Sequence, residues 1–133
     1  MQNEKRRIRI AARSYTQVAL YMDTLYPELK TVPWEEAAEE VKASYLDVYD
    51  FYAENPNRTF EDLHQRFVIM RKSEGYTYGE VSNEQTKKDS RLCSYKDLPE
   101  QLKIKDAVLY TAMQVQLSFT SHEINAEKFF SGI

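Results

Sequence analysis

Glycine and proline are scarce in this chain, and their positions constrain where it can turn. The 133 residues include three glycines and four prolines. Glycine tolerates positive φ and proline interrupts a helix, so these residues are strong boundary signals. Between them lie long segments with apolar residues three and four positions apart, which is the spacing of amphipathic helices. The sequence therefore predicts several helices, with boundaries near Pro27, Pro33, Pro56, Gly75 and Pro99.

We predict one helix over residues 5–26 and a second that begins at Pro33 and stops at Asn55-Pro56. A third runs from a capping box at Thr59 to Gly75, and a fourth follows Pro99. The fourth is apolar over more than half of its circumference, which predicts a central position. A second capping box, Thr120-Ser121-His122-Glu123, predicts a short fifth helix before the terminal apolar residues.

The segment between Gly75 and Gly79 breaks this helical pattern. Tyr76 and Tyr78 alternate with Thr77, which is strand periodicity and predicts both rings on one face. A second extended piece is predicted at residues 92–95, after a polar loop. The predicted fold is therefore mainly α: a compact domain of four to five helices with a small two-stranded antiparallel β element, in which residues 1–133 form one domain.

Composition limits the classes of partner. The net charge of −3 argues against nucleic acid as the main partner, so an anionic ligand needs a local cluster of cations. The single cysteine, Cys93, excludes an internal disulfide and is typical of a reducing cytoplasm. No apolar run approaches the length of a transmembrane helix, and the basic N-terminus lacks the apolar run of a signal peptide. We therefore expect a cytoplasmic protein with no membrane partner.

The candidate ligand-binding residues combine aromatic rings with cations. An aromatic face suits a flat base and cations suit phosphate. Several candidates also have a structural interpretation. Trp34 fits a core plug, and His64 fits a buried histidine with satisfied hydrogen bonds. The two tyrosines fit an edge strand that completes the core, and Arg13 fits a solvated basic helix face. The eight residues are Arg13, Trp34, His64, Tyr76, Tyr78, Lys87, Lys88 and Arg91.

The sequence gives little support for catalysis. No His/Cys group has zinc spacing, and no glycine-rich phosphate loop follows a strand. A nucleophile–base pair of Cys93 with His64 stays open, although no surrounding signature frames it. We therefore predict a protein that is not an enzyme and that has neither a cofactor nor a metal site.

Taken in order, several short motifs resemble the RyR domain, the repeat first described in ryanodine receptors and also found alone in bacteria and phages. The resemblance covers residues 10 to 115, and residues 118–133 form an extension beyond it. The chain departs from the family at Tyr76 and Phe67, where tryptophan is common, and at Asp89-Ser90-Arg91, where the family usually has a His-Pro pair. The motifs are Pro33-Trp34-Glu35, Asn55-Pro56, Thr59 with Glu61 and His64, Gly75 to Gly79, Lys87-Lys88, Tyr95 with Leu98-Pro99, and Lys105-Asp106.

The resemblance implies a mainly helical, non-catalytic module with a small antiparallel pair. Similar domains are associated with adenine nucleotides in the receptors, and with nucleotide-derived second messengers in prokaryotic antiviral systems. Because 133 residues leave no room for an output domain, we expect the chain to sequester such a signal, for example one of the cyclic ADP-ribose or cyclic oligonucleotide type. The host cytoplasm is the expected location of such a phage anti-defence protein.

A module for protein–protein interaction is the alternative. Its support is the surplus of tyrosine and the apolar C-terminal end formed by Phe129, Phe130 and Ile133. These terminal side chains either fold back or cover a neighbouring subunit, so we also expect a homo-oligomer, most simply a two-fold dimer.

Overall fold

The computed structural model describes residues 2–118. Within this range the chain forms two compact units, the first from residues 2–56 and 108–118 and the second from residues 57–107. The prediction that residues 1–133 form one domain stays a prediction. None of the helices in the described range has both the length and the apolar composition that crossing a bilayer requires. The predicted fifth helix and the terminal apolar residues lie outside the described range.

Four α-helices dominate the described chain, so the prediction of a mainly α fold is confirmed. Single 3₁₀ turns follow α1, precede α2 and precede α4, and a pair of two-residue strands lies between α3 and α4. The helices are α1 (Gln2–Leu25), α2 (Glu39–Glu54), α3 (Phe60–Ser73) and α4 (Glu100–Leu117); the 3₁₀ turns are Pro27–Leu29, Trp34–Glu36 and Tyr95–Asp97; the strands are β1 (Thr77–Tyr78) and β2 (Lys88–Asp89).

The first unit packs α1 against α2. Its core is mostly apolar and comes from α1, α2 and the second half of α4, because each contributes residues at helical spacing. Ile8, an apolar residue near the start of α1, is 42% exposed and lies outside this core. The residues with the most complete burial in this unit are Ile10, Ala11, Ser14, Val18, Tyr52 and Met113.

Two arginines at the start of α1 have structural partners in the first unit. Arg7 grips the Asp50 carboxylate with two hydrogen bonds of 2.8 and 2.9 Å, and it also contacts Glu4. Arg6 donates to the carbonyl oxygens of Gln116 and Leu117, which lack partners within α4 because they lie at its C-terminal end. Some of the basic side chains in the first half of α1 therefore link this helix to α2 and α4.

The predicted second helix is divided. Trp34–Glu36 forms a 3₁₀ turn, Ala37 and Ala38 have extended ψ angles near 149°, and α2 begins only at Glu39. Proline at the start therefore initiates one turn and not the whole helix. Trp34 consequently lies outside α2, and the prediction that this helix begins at Pro33 is wrong.

The second unit begins with the capping box predicted at Thr59. The Thr59 hydroxyl accepts from the Asp62 backbone, and the Asp62 carboxylate accepts from the Thr59 backbone at 2.8 Å. The helix ends at Ser73, and Gly75 two residues later has a φ of +93°, which requires a residue that tolerates the left-handed region. Both ends of α3 therefore lie where the sequence places them.

The strand pair is parallel, so the antiparallel prediction is wrong. Thr77 is paired with Lys88, and Tyr78 with Asp89. Lys88 also exchanges two backbone hydrogen bonds, of 2.8 and 2.9 Å, with Asn83 in an antiparallel bridge. The chain therefore reverses direction between Asn83 and Lys88, before β2 pairs with β1. This reversal allows the two strands to be parallel although the connection between them is short. The second extended piece predicted at residues 92–95 is not a strand either, since β2 lies earlier and Tyr95 starts a 3₁₀ turn.

The central position predicted for α4 is only partly correct. Leu109 is buried and Met113 is fully inaccessible, but Ile104 is 42% exposed and Val115 is 53% exposed. These exposed residues lie on the side of the helix away from the buried ones, as the 3.6-residue period requires. One side of the apolar surface of α4 is therefore not covered by the described residues.

Candidate functional site

Two glycines of the second unit lie beneath the side chains of two consecutive lysines. A Cβ at Gly75 would contact the Lys87 side chain at 3.4 Å, and one at Gly79 would approach the Lys88 Cβ to 2.8 Å. The second distance is too short for any side chain to be accommodated without movement. The two glycines that bracket the tyrosine segment therefore allow Lys87 and Lys88 to lie against the backbone.

Each lysine ammonium has one internal acceptor. Lys87 Nζ donates to the Glu74 carbonyl oxygen at 2.7 Å, and Lys88 Nζ donates to Thr77 Oγ1 at 2.8 Å. Glu74 is the C-cap of α3, so Lys87 also places a positive charge at the negative end of that helix. Within residues 2–118 neither ammonium forms an ion pair with a carboxylate, so both retain their positive charge uncompensated.

Asp89 joins two arginines from different parts of the second unit. Its carboxylate accepts from Arg91 Nε at 3.0 Å and from Arg91 Nη2 at 2.9 Å, and Arg71 Nε lies 3.3 Å away. The Asp89 side chain is only 3% exposed. Arg71 is on the last turn of α3 and Arg91 follows β2, so this one buried carboxylate fixes both guanidinium groups.

The charge on Asp89 is maintained by its partners. Burial on its own would raise the pKa of this carboxyl group. The side-chain and backbone hydrogen bonds from Arg91, with the positive charges of Arg91 and Arg71, outweigh burial and hold the pKa below its ordinary value. Asp89 is therefore ionised at neutral pH, and the arginines have a permanent anchor.

Both arginines also lie over aromatic rings. The Arg71 Cζ atom is 4.2 Å from the centroid of Tyr76, and the Arg91 Cζ atom is 4.5 Å from that of Phe67. Lys87 Nζ lies 5.9 Å from the Tyr76 centroid. These distances are typical of cation–π contacts. We call Arg71, Lys87, Lys88 and Arg91 the basic cluster, and Asp89 is its buried counter-charge.

The contacts of His64 lie within the second unit. This residue is buried, and its Nε2 atom is 2.7 Å from the Cys93 carbonyl oxygen. Its ring is stacked on Phe67 with centroids 6.1 Å apart. Of the two interpretations of His64, the satisfied buried histidine is therefore the one that these contacts favour.

The pair of Cys93 with His64 does not have the geometry of a nucleophile and its base. The histidine Nε2 contacts the cysteine backbone, and the Cys93 sulfur lies 3.9 Å from the Ser90 carbonyl oxygen. Burial raises the pKa of the Cys93 thiol, and the charge of Asp97 raises it further. A thiol with a raised pKa holds little thiolate at neutral pH, so it is a poor nucleophile.

Lys105 and Asp106 lie on the part of α4 that belongs to the second unit. Burial lowers the pKa of Lys105 against the attraction of Asp106. Burial raises the pKa of Asp106, and the positive charges of Lys105, His64 and Arg91 oppose this rise. Both groups therefore lie in a less polar environment than water.

Arg13 and Trp34 belong to the first unit, whereas the other six predicted site residues belong to the second. Trp34 contacts Tyr15 edge to face at 5.8 Å, and Lys42 Nζ is 5.9 Å from its ring centroid. Two glutamates, Glu39 and Glu40, occupy the first turn of α2. Aromatic packing and neighbouring carboxylates favour the core-plug interpretation of Trp34 over an anion site.

Tyr76 and Tyr78 do not form one uniform aromatic face. Tyr76 precedes β1, is half-buried and lies beneath Arg71. Tyr78 is in β1 and is 53% exposed. The structure therefore brings Tyr76, Lys87, Lys88 and Arg91 into one region of the second unit and leaves Tyr78 exposed beside it.

Three residues of this region are missed by sequence reasoning. Arg71 looks like a basic residue that complements the C-terminal end of a helix, Phe67 looks like part of a buried stripe, and Asp89 lies in a run of charges. The signal that could have found Arg71 is its position four residues before Gly75, at the point where the chain turns toward the lysines.

Comparisons with known proteins give no relative for this chain. No protein-family model, no curated protein and no solved structure matches it. In the part of the chain that the structure describes, no three His, Cys, Asp or Glu side chains are grouped so that they could hold a metal ion.

Proposed function

We propose that the chain is a non-catalytic module of the RyR-domain type that binds a nucleotide-derived anion on its second unit. The observation that carries the proposal is the basic cluster: Arg71 and Arg91 pair with the buried Asp89, and Lys87 and Lys88 add two further cations in the same unit of a chain whose net charge is −3. Because Asp89 compensates only part of this charge, the cluster attracts an anion locally although the whole chain is acidic.

Anchored cations suit a phosphate group. Arginine and lysine bind phosphate through charge-assisted hydrogen bonds, and less freedom is lost when their side chains are already held. Asp89 holds Arg71 and Arg91, and internal acceptors hold both lysines. The ligand class that we propose is a nucleotide-derived second messenger, such as a cyclic ADP-ribose type signal or a cyclic oligonucleotide.

Sequestration is the proposed consequence of binding. A binder that withholds an immune signal from its receptor acts without chemistry, which is the role expected of a phage anti-defence protein in the host cytoplasm. Depletion of the free ligand measures this directly. When the protein is in excess and the ligand concentration exceeds the Kd, ultrafiltration should leave little of the ligand in the filtrate.

The first test is a thermal-shift screen against adenine nucleotides, ADP-ribose derivatives, cyclic ADP-ribose isomers and cyclic oligonucleotides. A ligand at about 100 times its Kd adds about 2.7 kcal/mol to the free energy of unfolding, which raises Tm by several degrees in a chain of this size. Lys88→Ala should abolish the shift. Lys96→Ala is the matched control, because Lys96 is also an exposed lysine of the second unit. A flat screen, or an equal loss in both variants, contradicts the proposal.

A protein–protein interaction module is the second candidate. Three apolar side chains of the second unit are strongly exposed: Ile69 at 62%, Tyr78 at 53% and Val81 at 81%. A partner that covers Val81 would explain why this apolar side chain is so exposed at the bend after β1. This candidate predicts that no ligand in the screen shifts Tm. It also predicts a protein partner whose binding is lost in Val81→Ser and kept in Lys88→Ala. Partner binding that is lost in Lys88→Ala and kept in Val81→Ser contradicts it.

A further inference from the structure

The two aromatic rings next to the basic cluster already carry guanidinium groups. Arg71 lies over Tyr76 at 4.2 Å and Arg91 lies over Phe67 at 4.5 Å, measured from Cζ to the ring centroid. Phe67 is also stacked with His64. A nucleobase that stacks on a ring needs the same space that a guanidinium group occupies there. On both rings, the face that the arginine covers is therefore not available for stacking with a nucleobase.

The hydrogen-bond donors of the cluster remain in surplus. An ammonium has three donors, and each lysine of the cluster uses one on an internal acceptor. A guanidinium has five N–H groups, and Arg91 directs Nε and Nη2 to Asp89, whereas Arg71 directs Nε to it. Apart from the exposed Tyr78, the cluster therefore offers little open aromatic surface, whereas it is rich in donors for oxygen.

We propose that the basic cluster recognises the phosphate end of its ligand and does not distinguish the base. The ligand class is phosphoanhydrides and phosphate esters in general, with the base left outside the contact. This inference rests on the proposed function and makes it more specific. It assigns the ligand contacts to the four cations of the basic cluster and gives Tyr76 the role of supporting Arg71.

Isothermal titration calorimetry with inorganic pyrophosphate, ADP, GDP, CDP and adenosine tests the inference. A stacked base typically contributes at least about fivefold in affinity. We expect pyrophosphate and the three nucleoside diphosphates to bind with affinities that differ by less than this factor, and adenosine not to bind. Binding of adenosine, or a preference for one base above this factor, overturns the inference while the proposed function survives. If no phosphate compound binds, both the inference and the proposed function are wrong.

Variants separate the phosphate contacts from stacking. Lys87→Ala should weaken pyrophosphate and ADP by the same factor, because the lost contact is to phosphate. Tyr78→Ala should change neither affinity, although Tyr78 is the exposed ring of this region. Lys96→Ala serves again as the charge-matched control. A loss of ADP affinity in Tyr78→Ala without a loss for pyrophosphate shows that a base stacks there and overturns the inference.

Arg71→Gln provides a second, independent comparison. It removes a cation and uncovers the ring face of Tyr76, so it should weaken pyrophosphate and ADP equally if the base makes no contact. A gain in the preference for ADP over pyrophosphate contradicts the assignment of Arg71 as a phosphate contact. Since Arg71 also contacts Asp89, the Tm of this variant is measured beside the titration, and Lys87→Ala carries the conclusion if Arg71→Gln does not fold.

Discussion

At the scale of single residues, Asp89 determines the organisation of the second unit. A buried carboxylate is costly unless it is paired, and here two arginines and a backbone N–H from Arg91 compensate it. The same contacts prevent the two guanidinium groups from moving freely. One residue therefore accounts both for a part of the stability of this unit and for the geometry of its cations.

Replacing Asp89 with asparagine should destabilise the protein by about 1–3 kcal/mol at neutral pH, because two partly exposed arginines lose their charge-assisted contacts with the buried carboxylate. The lowered pKa of Asp89 means that its contribution is fully present above the ordinary pKa of an aspartate and is lost as pH falls through its lower, folded-state value. Denaturant unfolding should therefore show a difference between wild type and variant that shrinks below about pH 4. A difference that does not depend on pH contradicts this assignment.

Cys93 should react slowly with thiol reagents in the folded protein. Burial raises the pKa of its thiol, so the thiolate fraction at neutral pH is lower than that of an unperturbed cysteine. Reaction with Ellman's reagent measures the rate, and the same protein in denaturant is the control. A folded protein that reacts as fast as the denatured one, or faster, contradicts the assignment and reopens the question of a reactive thiol.

At the scale of secondary-structure elements, the turn after α3 depends on Gly75. Its φ of +93° is a conformation that residues with a Cβ adopt at a cost of about 1–2 kcal/mol. Gly75→Ala should therefore lower the free energy of unfolding by about this amount. Glu80→Ala, an exposed change in the following loop, is the control and should have little effect. No loss of stability in Gly75→Ala would show that the turn has another conformation.

The elements that the sequence predicts correctly are those with local physical causes. The capping box at Thr59 and the stop at Gly75 bound α3, because each depends on atoms within one helical turn. The parallel pairing of Thr77 with Lys88 was not predictable in this way. It depends on the reversal at Asn83 inside the loop, which no short pattern in the sequence specifies.

In the candidate site, too, features with a local cause were predictable and contacts between distant residues were not. Lys87 and Lys88 were predictable as cations near glycines, since glycine permits close approach. The contact of Arg71 with Asp89 joins residues 18 positions apart, and only the folded chain brings them together. For the same reason Trp34 and Arg13 were grouped with the lysines by residue type, although they belong to the other compact unit.

At the scale of the whole molecule, we expect a dimer. Apolar side chains such as Leu20 and Leu29 are more than half exposed in the first unit, and the chain ends in further apolar residues. Light scattering should give about twice the chain mass of 15.7 kDa. A truncation after Ser118 should give a monomer if the terminal residues form the interface. A chain of residues 1–133 that is monomeric contradicts the expectation.

The location of the ligand on the second unit is the central claim, and nuclear magnetic resonance tests it most directly. A ¹H–¹⁵N correlation spectrum is recorded while inorganic pyrophosphate is titrated into the labelled protein. The account predicts saturable shifts that are largest around Arg71, Tyr76, Lys87, Lys88 and Arg91. Shifts that are largest around Arg13 and the Trp34 indole, or a spectrum unchanged by pyrophosphate and by nucleotides, would contradict it.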